Sequence, residues 1–228
     1  MLLGKNDTHS ADALVFNGAD LLKNPQKFLG SNGKIVDQQK YVFFSLESPI
    51  NLNYRALRNL DSTFDWTMTY QIGSDILVPY GRIKPSKGRK IPLVTEKELK
   101  RKKIATAMIS HCPTYSQREE IIKQMQRYIN VDVYGTCGPL ACGTRTTIGT
   151  LTSKNLTECD AKIKTYSFFL AFENSLCEDY VTEKMYRALQ LGVIPVVLGG
   201  ANYSLFAPPN SVINVADFAT IEKLTIVN

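Results

Sequence analysis

From Ile104 onward the chain repeats one rhythm, and that rhythm leaves few folds open. Ile104–Ile109 is a β-prone run. Ser116–Ile129 places Ile121, Ile122, Met125 and Ile129 on one helical face, with Ser116 and Glu119 spaced as a capping box. Val131–Tyr134 is a second run, closed by Gly135, and Phe168–Phe172 a third. Val181–Leu191 spaces Val181, Met185, Ala188 and Leu189 as a buried helical stripe, with Gly192 at its end. Val193–Leu198 and Val212–Val215 follow as strands. Strand, helix, strand, repeated, predicts an α/β domain: a parallel sheet with helices on both faces, binding its ligand at the carboxyl ends of its strands.

The chain is long enough for this, at 228 residues. Its composition, 44% hydrophobic and 21% charged, excludes a disordered, collagenous or coiled-coil chain. No apolar run approaches the ~20 residues of a membrane helix. Met1–Asp7 turns polar too early for a signal peptide, so no bilayer-crossing segment is expected.

Upstream the signals are sparser. Tyr41–Leu46 and Ile76–Val78 are short β-prone runs, and the lone Trp66 is expected in a core. Between Arg82 and Lys103 stand ten basic residues opposed only by Glu96 and Glu98, with Pro85, Pro92, Gly88 and no aromatic residue. A nucleic-acid surface would interleave aromatics or use a recognition helix, so this stretch is read as a solvated linker. It sets the expected boundary, giving domains 1–90 and 91–228.

The five cysteines, Cys112, Cys137, Cys142, Cys159 and Cys177, lack CxxC spacing, which argues against zinc. Cys137 and Cys142 share a Gly-rich loop that has room for a short bridge, the pairing stays open, and the odd count leaves at least one thiol over. Asn6, Asn155 and Asn202 begin N-glycosylation triplets and point weakly to a secretory compartment. His9 and His111 are the only histidines, and His111 is read as structural.

The segment with most chemistry is Phe172–Lys184. A buried strand feeds polar side chains into a loop from which a helix starts, and a helix N-terminus beside Lys184 suits a phosphate. The same residues also fit a plain helix start, with Thr182 as cap, Glu183 complementing the dipole and Lys184 solvated.

Leu170-Ala171-Phe172-Glu173-Asn174-Ser175, Tyr180-Val181-Thr182-Glu183-Lys184 and Pro195–Tyr203 together strongly resemble the α1,3-fucosyltransferases of glycosyltransferase family 10, invertebrate members most of all. Leu46–Pro49, Trp66–Tyr70, Ser74–Gly81, Ile109–Cys112 and Val131–Gly135 agree in order, so the resemblance spans about residues 41–220. It implies a GT-B architecture of two Rossmann-like domains: an incomplete acceptor-side domain and a C-terminal domain for GDP-fucose. Tyr180, Glu183 and Lys184 match donor-contacting positions, Lys184 toward the diphosphate and Glu183 toward the fucose. Arg118 matches a phosphate-contacting arginine, Glu173 and Asn174 the strand end near the nucleotide, and Glu47 the general base.

The implied reaction is inverting transfer of L-fucose from GDP-fucose to a GlcNAc hydroxyl of a glycan in α1,3 linkage. One carboxylate suffices, because a diphosphate leaves without needing a proton. No Asp-x-Asp motif occurs, so no metal is expected. The family also implies the lumenal face of the Golgi membrane, held by an anchor not seen in this chain. Ser167 stands where the family usually has lysine. Relative to the family pattern the ends look short, so part of a longer protein is expected; the alternative is an inactive relative that at most binds GDP.

Overall fold

The computed structural model describes residues 10–23, 39–52, 54–58, 60, 62–85, 103–143 and 153–226. His9, Asn6 and most of the basic stretch, including the expected boundary at 90/91, lie outside them. The chain divides into two compact units, 1–80 with 177–180, and 81–176 with 181–228.

The first unit holds a parallel sheet in the order β1 (Ala13–Asn17), β2 (Lys40–Ser45), β3 (Trp66–Thr69), β4 (Ile76–Leu77). Helix α1 (Gly18–Lys23) follows β1, and α2 (Tyr54–Arg58) follows a 3-10 turn at Pro49–Leu52. Phe16, Leu21 and Tyr41 form its core, with Phe16 and Tyr41 rings 4.9 Å apart. Trp66 corrects the expectation of a core position: it is 41% exposed. It pairs with Val42 of β2, but β4 reaches only Met68 and Thr69, so Trp66 lies beyond its edge neighbour.

The second unit carries the predicted rhythm. Its elements are β5 (Lys103–Met108), α3 (Arg118–Met125), β6 (Val131–Tyr134), α4 (Ser153–Ile163), β7 (Tyr166–Phe172), α5 (Glu183–Gln190), β8 (Ile194–Leu198), β9 (Ile213–Asn214) and α6 (Ile221–Thr225). The sheet runs β6-β5-β7-β8-β9, parallel throughout. Strands buried on both faces need near-continuous apolar runs, which β7 supplies as Tyr-Ser-Phe-Phe-Leu-Ala-Phe. Ala105 and Ala107 of the inner strand β5 are fully buried, with Ile122, Met125, Leu170, Phe172, Val196 and Leu224 in the same core. Each large apolar side chain so buried contributes about 1.5–3 kcal/mol. Among the described residues no helix is long and apolar enough to cross a membrane.

Two local expectations are corrected, and the cysteine pairing is settled. Helix α3 starts at Arg118, and the expected capping box does not form. Ser116 Oγ donates instead to the Glu173 carbonyl at 2.6 Å, and Glu119 accepts from Thr114 Oγ1 at 2.9 Å. Gln117, in the left-handed region at φ 52°, precedes the helix without a side-chain cap. Helix α5 starts at Glu183 rather than Val181, while Gly192 ends it at φ 66° as expected. The disulfides are Cys112–Cys137 and Cys142–Cys159, not Cys137–Cys142, and Cys177 is free. The Cys137 N–H bonds the Ile109 carbonyl, which sets it beside the exit of β5 near Cys112. Cys142 lies past the Leu140 bridge and meets α4, a helix the sequence pattern did not announce.

Gly135 is required by geometry. Its φ is +107°, and an added Cβ would stand 2.3 Å from the Ile109 carbonyl oxygen. Gly135→Ala is expected to lower stability by about 1–3 kcal/mol, read from urea unfolding. Peptide mapping of the unreduced protein is expected to return Cys112–Cys137 and Cys142–Cys159, with only Cys177 alkylated. A Cys137–Cys142 peptide would contradict the fold of this loop.

Candidate functional site

The strand order of the second sheet reverses at β5, since β6 adds to one side of β5 and β7 to the other. At such a switch point the loops leaving the strands part and open a crevice at their carboxyl ends. A cavity of about 810 Å³ lies there. Its walls come from the exit of β5 (Met108, Ser110, His111), the exit of β6 (Tyr134, Gly135, Thr136), Asn174 after β7, and the first turns of α5 (Glu183, Lys184, Arg187). Arg118 and the Cys142–Cys159 pair complete it. Arg118, Lys184 and Arg187 line it beside one carboxylate, Glu183, and Lys184 and Arg187 are each held by a carboxylate behind them, Glu173 and Asp160.

Glu173 organises the mouth. It is the first residue past β7, its N–H bonds the Leu198 carbonyl, and it is 1% exposed. Burying a carboxylate is costly unless every lone pair is matched. Here Thr182 N–H donates at 2.9 Å, Thr182 Oγ1 lies at 2.9 and 3.0 Å, and Lys184 Nζ donates at 2.9 Å. Lys184 also reaches Thr182 Oγ1 at 2.6 Å and lies 3.6 Å from Glu183. Thr182 therefore serves Glu173 and gives the helix no side-chain cap. Arg118, 3% exposed, donates to the carbonyls of Phe172 at 2.8 Å and His111 at 3.0 Å, tying two strand exits together. The His111 side chain is exposed at the cavity.

Of the sequence-derived residues, Arg118, Asn174, Glu183 and Lys184 share this cavity, with Glu173 behind Lys184. Glu47 and Tyr180 belong to the first unit. There the exits of β2 and β3 line a second cavity of about 460 Å³, with Glu47, Tyr70, Glu178 and Asp179 in its wall. Glu47 is exposed and accepts from Asn51 Nδ2 at 3.4 Å. Tyr180 packs against Tyr70 at 4.9 Å and Tyr80 at 6.2 Å. Burial, then the nearby Cys177, Tyr80, Asp179 and Glu47, push the Tyr70 phenol above its ordinary range. Among the described residues no group of three His, Cys, Asp or Glu is placed to hold a metal ion.

Sequence reasoning missed two features. One is Arg187, whose Nε donates to Asp160 at 2.6 Å. Its spacing of three from Lys184, on the same helical face, was the available signal. The other is a polar chain along the sheet. Tyr134 and Tyr166 hydroxyls lie 3.0 Å apart, Tyr166 donates to Asp132 at 2.5 Å, and Lys103 donates to Asp132 at 2.7 Å. The Lys103 hydrogen bond, then that of Tyr166, holds the Asp132 carboxyl below the usual carboxylate range. Burial and the Asp132 hydrogen bond push the Tyr166 phenol up.

A carboxylate lowered in the folded state stabilises the fold above the unfolded value of about 3.9, and this is lost as pH falls through the folded value. Asp132→Asn is therefore expected to melt below wild type at pH 7, with the gap narrowing below about pH 4. A gap constant from pH 7 to 2 would mean that the charge of Asp132 contributes nothing.

Residues 98–227 match the family model described as glycosyltransferase family 10 (fucosyltransferase) C-term, and residues 3–81 match fucosyltransferase, N-terminal. Alpha-(1,3)-fucosyltransferase C of Drosophila melanogaster is 36% identical over 233 residues, covering 93% of this chain and 51% of the relative. A human 4-galactosyl-N-acetylglucosaminide 3-alpha-L-fucosyltransferase is 36% identical over 218 residues, covering 94% of this chain and 54% of the relative. The chain spans about half the length of such curated relatives. A crystal structure of an alpha1,3-fucosyltransferase with GDP-fucose shares the fold at TM-score 0.54 and 20% identity, over 83% of this chain and 61% of that one.

Proposed function

The chain belongs to glycosyltransferase family 10, the fucosyltransferases, and from that premise we propose that it transfers L-fucose from GDP-fucose to a glycan. The observation that carries this reading is the cation-lined cavity at the switch point of the second sheet. A nucleoside diphosphate needs positive charge at a strand-to-helix turn, and Lys184 stands in the first turn of α5 with Glu173 fixing its ammonium. Lys184 and the helix N-terminus take up the charge that grows on the departing diphosphate. Glu183, 60% exposed beside Lys184, offers a carboxylate to the fucose and to the positive charge developing on its ring. Arg118 and Asn174 shape the nucleotide end, and Glu173 acts through Lys184. Tyr180, 2% exposed and packed on Tyr70 and Tyr80, is proposed as a positioning residue and not as a contact of the donor.

The acceptor is a GlcNAc hydroxyl, and the linkage α1,3 with inversion. Glu47 of the first unit takes the hydroxyl proton as the acceptor oxygen attacks C1 and GDP leaves. The leaving diphosphate is stable without protonation, so one carboxylate suffices and no metal is needed. The reading includes the Golgi lumen. Two disulfides support an oxidising compartment, and Asn202 of the third glycosylation triplet is exposed.

Calorimetric titration with GDP tests the donor half of this reading. Saturable binding is expected, with Lys184→Met weakening it about 10- to 100-fold, the worth of a charge-assisted hydrogen bond. Transfer from GDP-fucose to N-acetyllactosamine tests the rest. Glu47→Gln is expected to lower kcat about 10²- to 10⁴-fold, the usual weight of a general base, with GDP affinity unchanged. Binding of GDP by wild type without transfer would favour the non-transferring relative. A folded chain that ignores GDP would sink the donor site.

A further inference from the structure

The cavity of the first unit is lined by acids. Ser45 of β2 and Thr69 of β3 are register partners at the carboxyl ends of neighbouring parallel strands. Glu47 follows one exit and Tyr70 the other, at the end of a parallel sheet where ligands are received. With Glu178 and Asp179, three carboxylates line the cavity, and among the described residues no lysine or arginine does. None of the three is paired with a cation among the described residues. Glu47 accepts from the Asn51 amide at 3.4 Å, and Asp179 accepts the Ile72 N–H at 3.1 Å, which holds its carboxylate at the loop after β3. Tyr70 gives a second and independent sign of a ligand. It lines the cavity at 3% exposure, and its hydroxyl has no hydrogen-bond partner among the described residues. Buried polar groups are ordinarily paired, so a phenol left over in a cavity wall has a hydrogen bond to give to an entering oxygen.

We propose that Glu178 and Asp179, together with Glu47, restrict the acceptor to a neutral sugar and turn away one that carries a negative charge near the reacting hydroxyl. The inference rests on the acceptor reading above, in which Glu47 takes the hydroxyl proton, and adds the class of sugar that reaches it. A neutral sugar meets the carboxylates with its hydroxyls as donors, since an ionised carboxylate only accepts. Tyr70 supplies the donor for a sugar oxygen that accepts. An anionic sugar brings like charge against three carboxylates with no lining cation to offset them. For charges roughly 6–10 Å apart near a protein surface, the summed repulsion is worth about 5- to 30-fold in kcat/KM at low salt.

The test compares two acceptors on the full chain at saturating GDP-fucose: N-acetyllactosamine, and the same disaccharide sulfated at O6 of its GlcNAc. The sulfate puts one negative charge on the sugar that is attacked. Wild type is expected to favour the neutral acceptor by about 5- to 30-fold in kcat/KM at about 0.02 M salt, and by less than about threefold at about 0.5 M, where the charges are screened. Glu178→Gln with Asp179→Asn should close most of the gap at low salt. Asparagine suits the left-handed φ of 56° at position 179, and its amide oxygen still accepts the Ile72 N–H. Glu178→Lys changes one exposed side chain and should move the ratio as far by itself.

A wild-type ratio near one at low salt overturns the proposal. A preference for the neutral sugar that neither salt nor the variants move also overturns it, because the sulfate is then excluded by its size. A loss in the variants that falls equally on both acceptors makes Glu178 and Asp179 structural and overturns it as well. Wild type that fucosylates neither sugar removes the transferase reading and this inference together, whereas transfer to both alike removes only this inference.

Discussion

The carboxylate of Glu173 is the contact on which the second unit's site depends. It is 1% exposed and one residue past the end of β7, a place where an unmatched charge would cost several kcal/mol. Its partners are a backbone N–H and a hydroxyl from Thr182, which precedes α5, and the ammonium of Lys184 in its first turn. The strand end and the helix start are thereby one electrostatic unit. Lys184 gains a fixed position and stays 19% exposed toward the cavity. Such preorganisation spares the bound state the entropy of ordering a long side chain.

The same arrangement recurs on a larger scale. Arg118, buried under the cavity, holds the carbonyls of Phe172 and His111, so two strand exits share one guanidinium. Ser116 bonds the Glu173 carbonyl, so the start of α3 is anchored to β7. Arg187 leans on Asp160 of α4, which the Cys142–Cys159 bridge fastens to the loop after β6. Every cation of the cavity is thus oriented by a partner on a different element. The cavity's field is a property of the assembled sheet rather than of any one loop.

The sheet-forming runs were legible because their signal is local. Tyr41–Leu46 and Phe168–Phe172 are apolar, β-branched or aromatic, and end at turn residues; Gly192 marks a helix end because only a left-handed φ continues the chain there. What the sequence hid was settled by distant partners. Ser116 and Glu119 have capping spacing, but their bonds go to Glu173 and Thr114. Trp66 reads as a core residue until the shortness of β4 is known. The cysteine pairing depends on where α4 lies, and spacing alone does not encode it. Lys184 was found through its motif. Arg187 was passed over, because an arginine inside a helix ordinarily signals a solvated face.

The strand order of the second sheet has a consequence for how the chain is made. β5, the first of its strands to be synthesised, takes an inner place, and β6 adds to one of its edges. β7 then adds to the other, and β8 and β9 extend outward from there. Among the described strands, none has to insert between two that are already paired. The first sheet, β1 to β4 in order, grows the same way from a single edge. Parallel pairings are slow to close because each waits for a long crossover, but here each closure needs only chain that has already emerged. The topology is one that a ribosome can deliver strand by strand, from the amino end, without undoing any step.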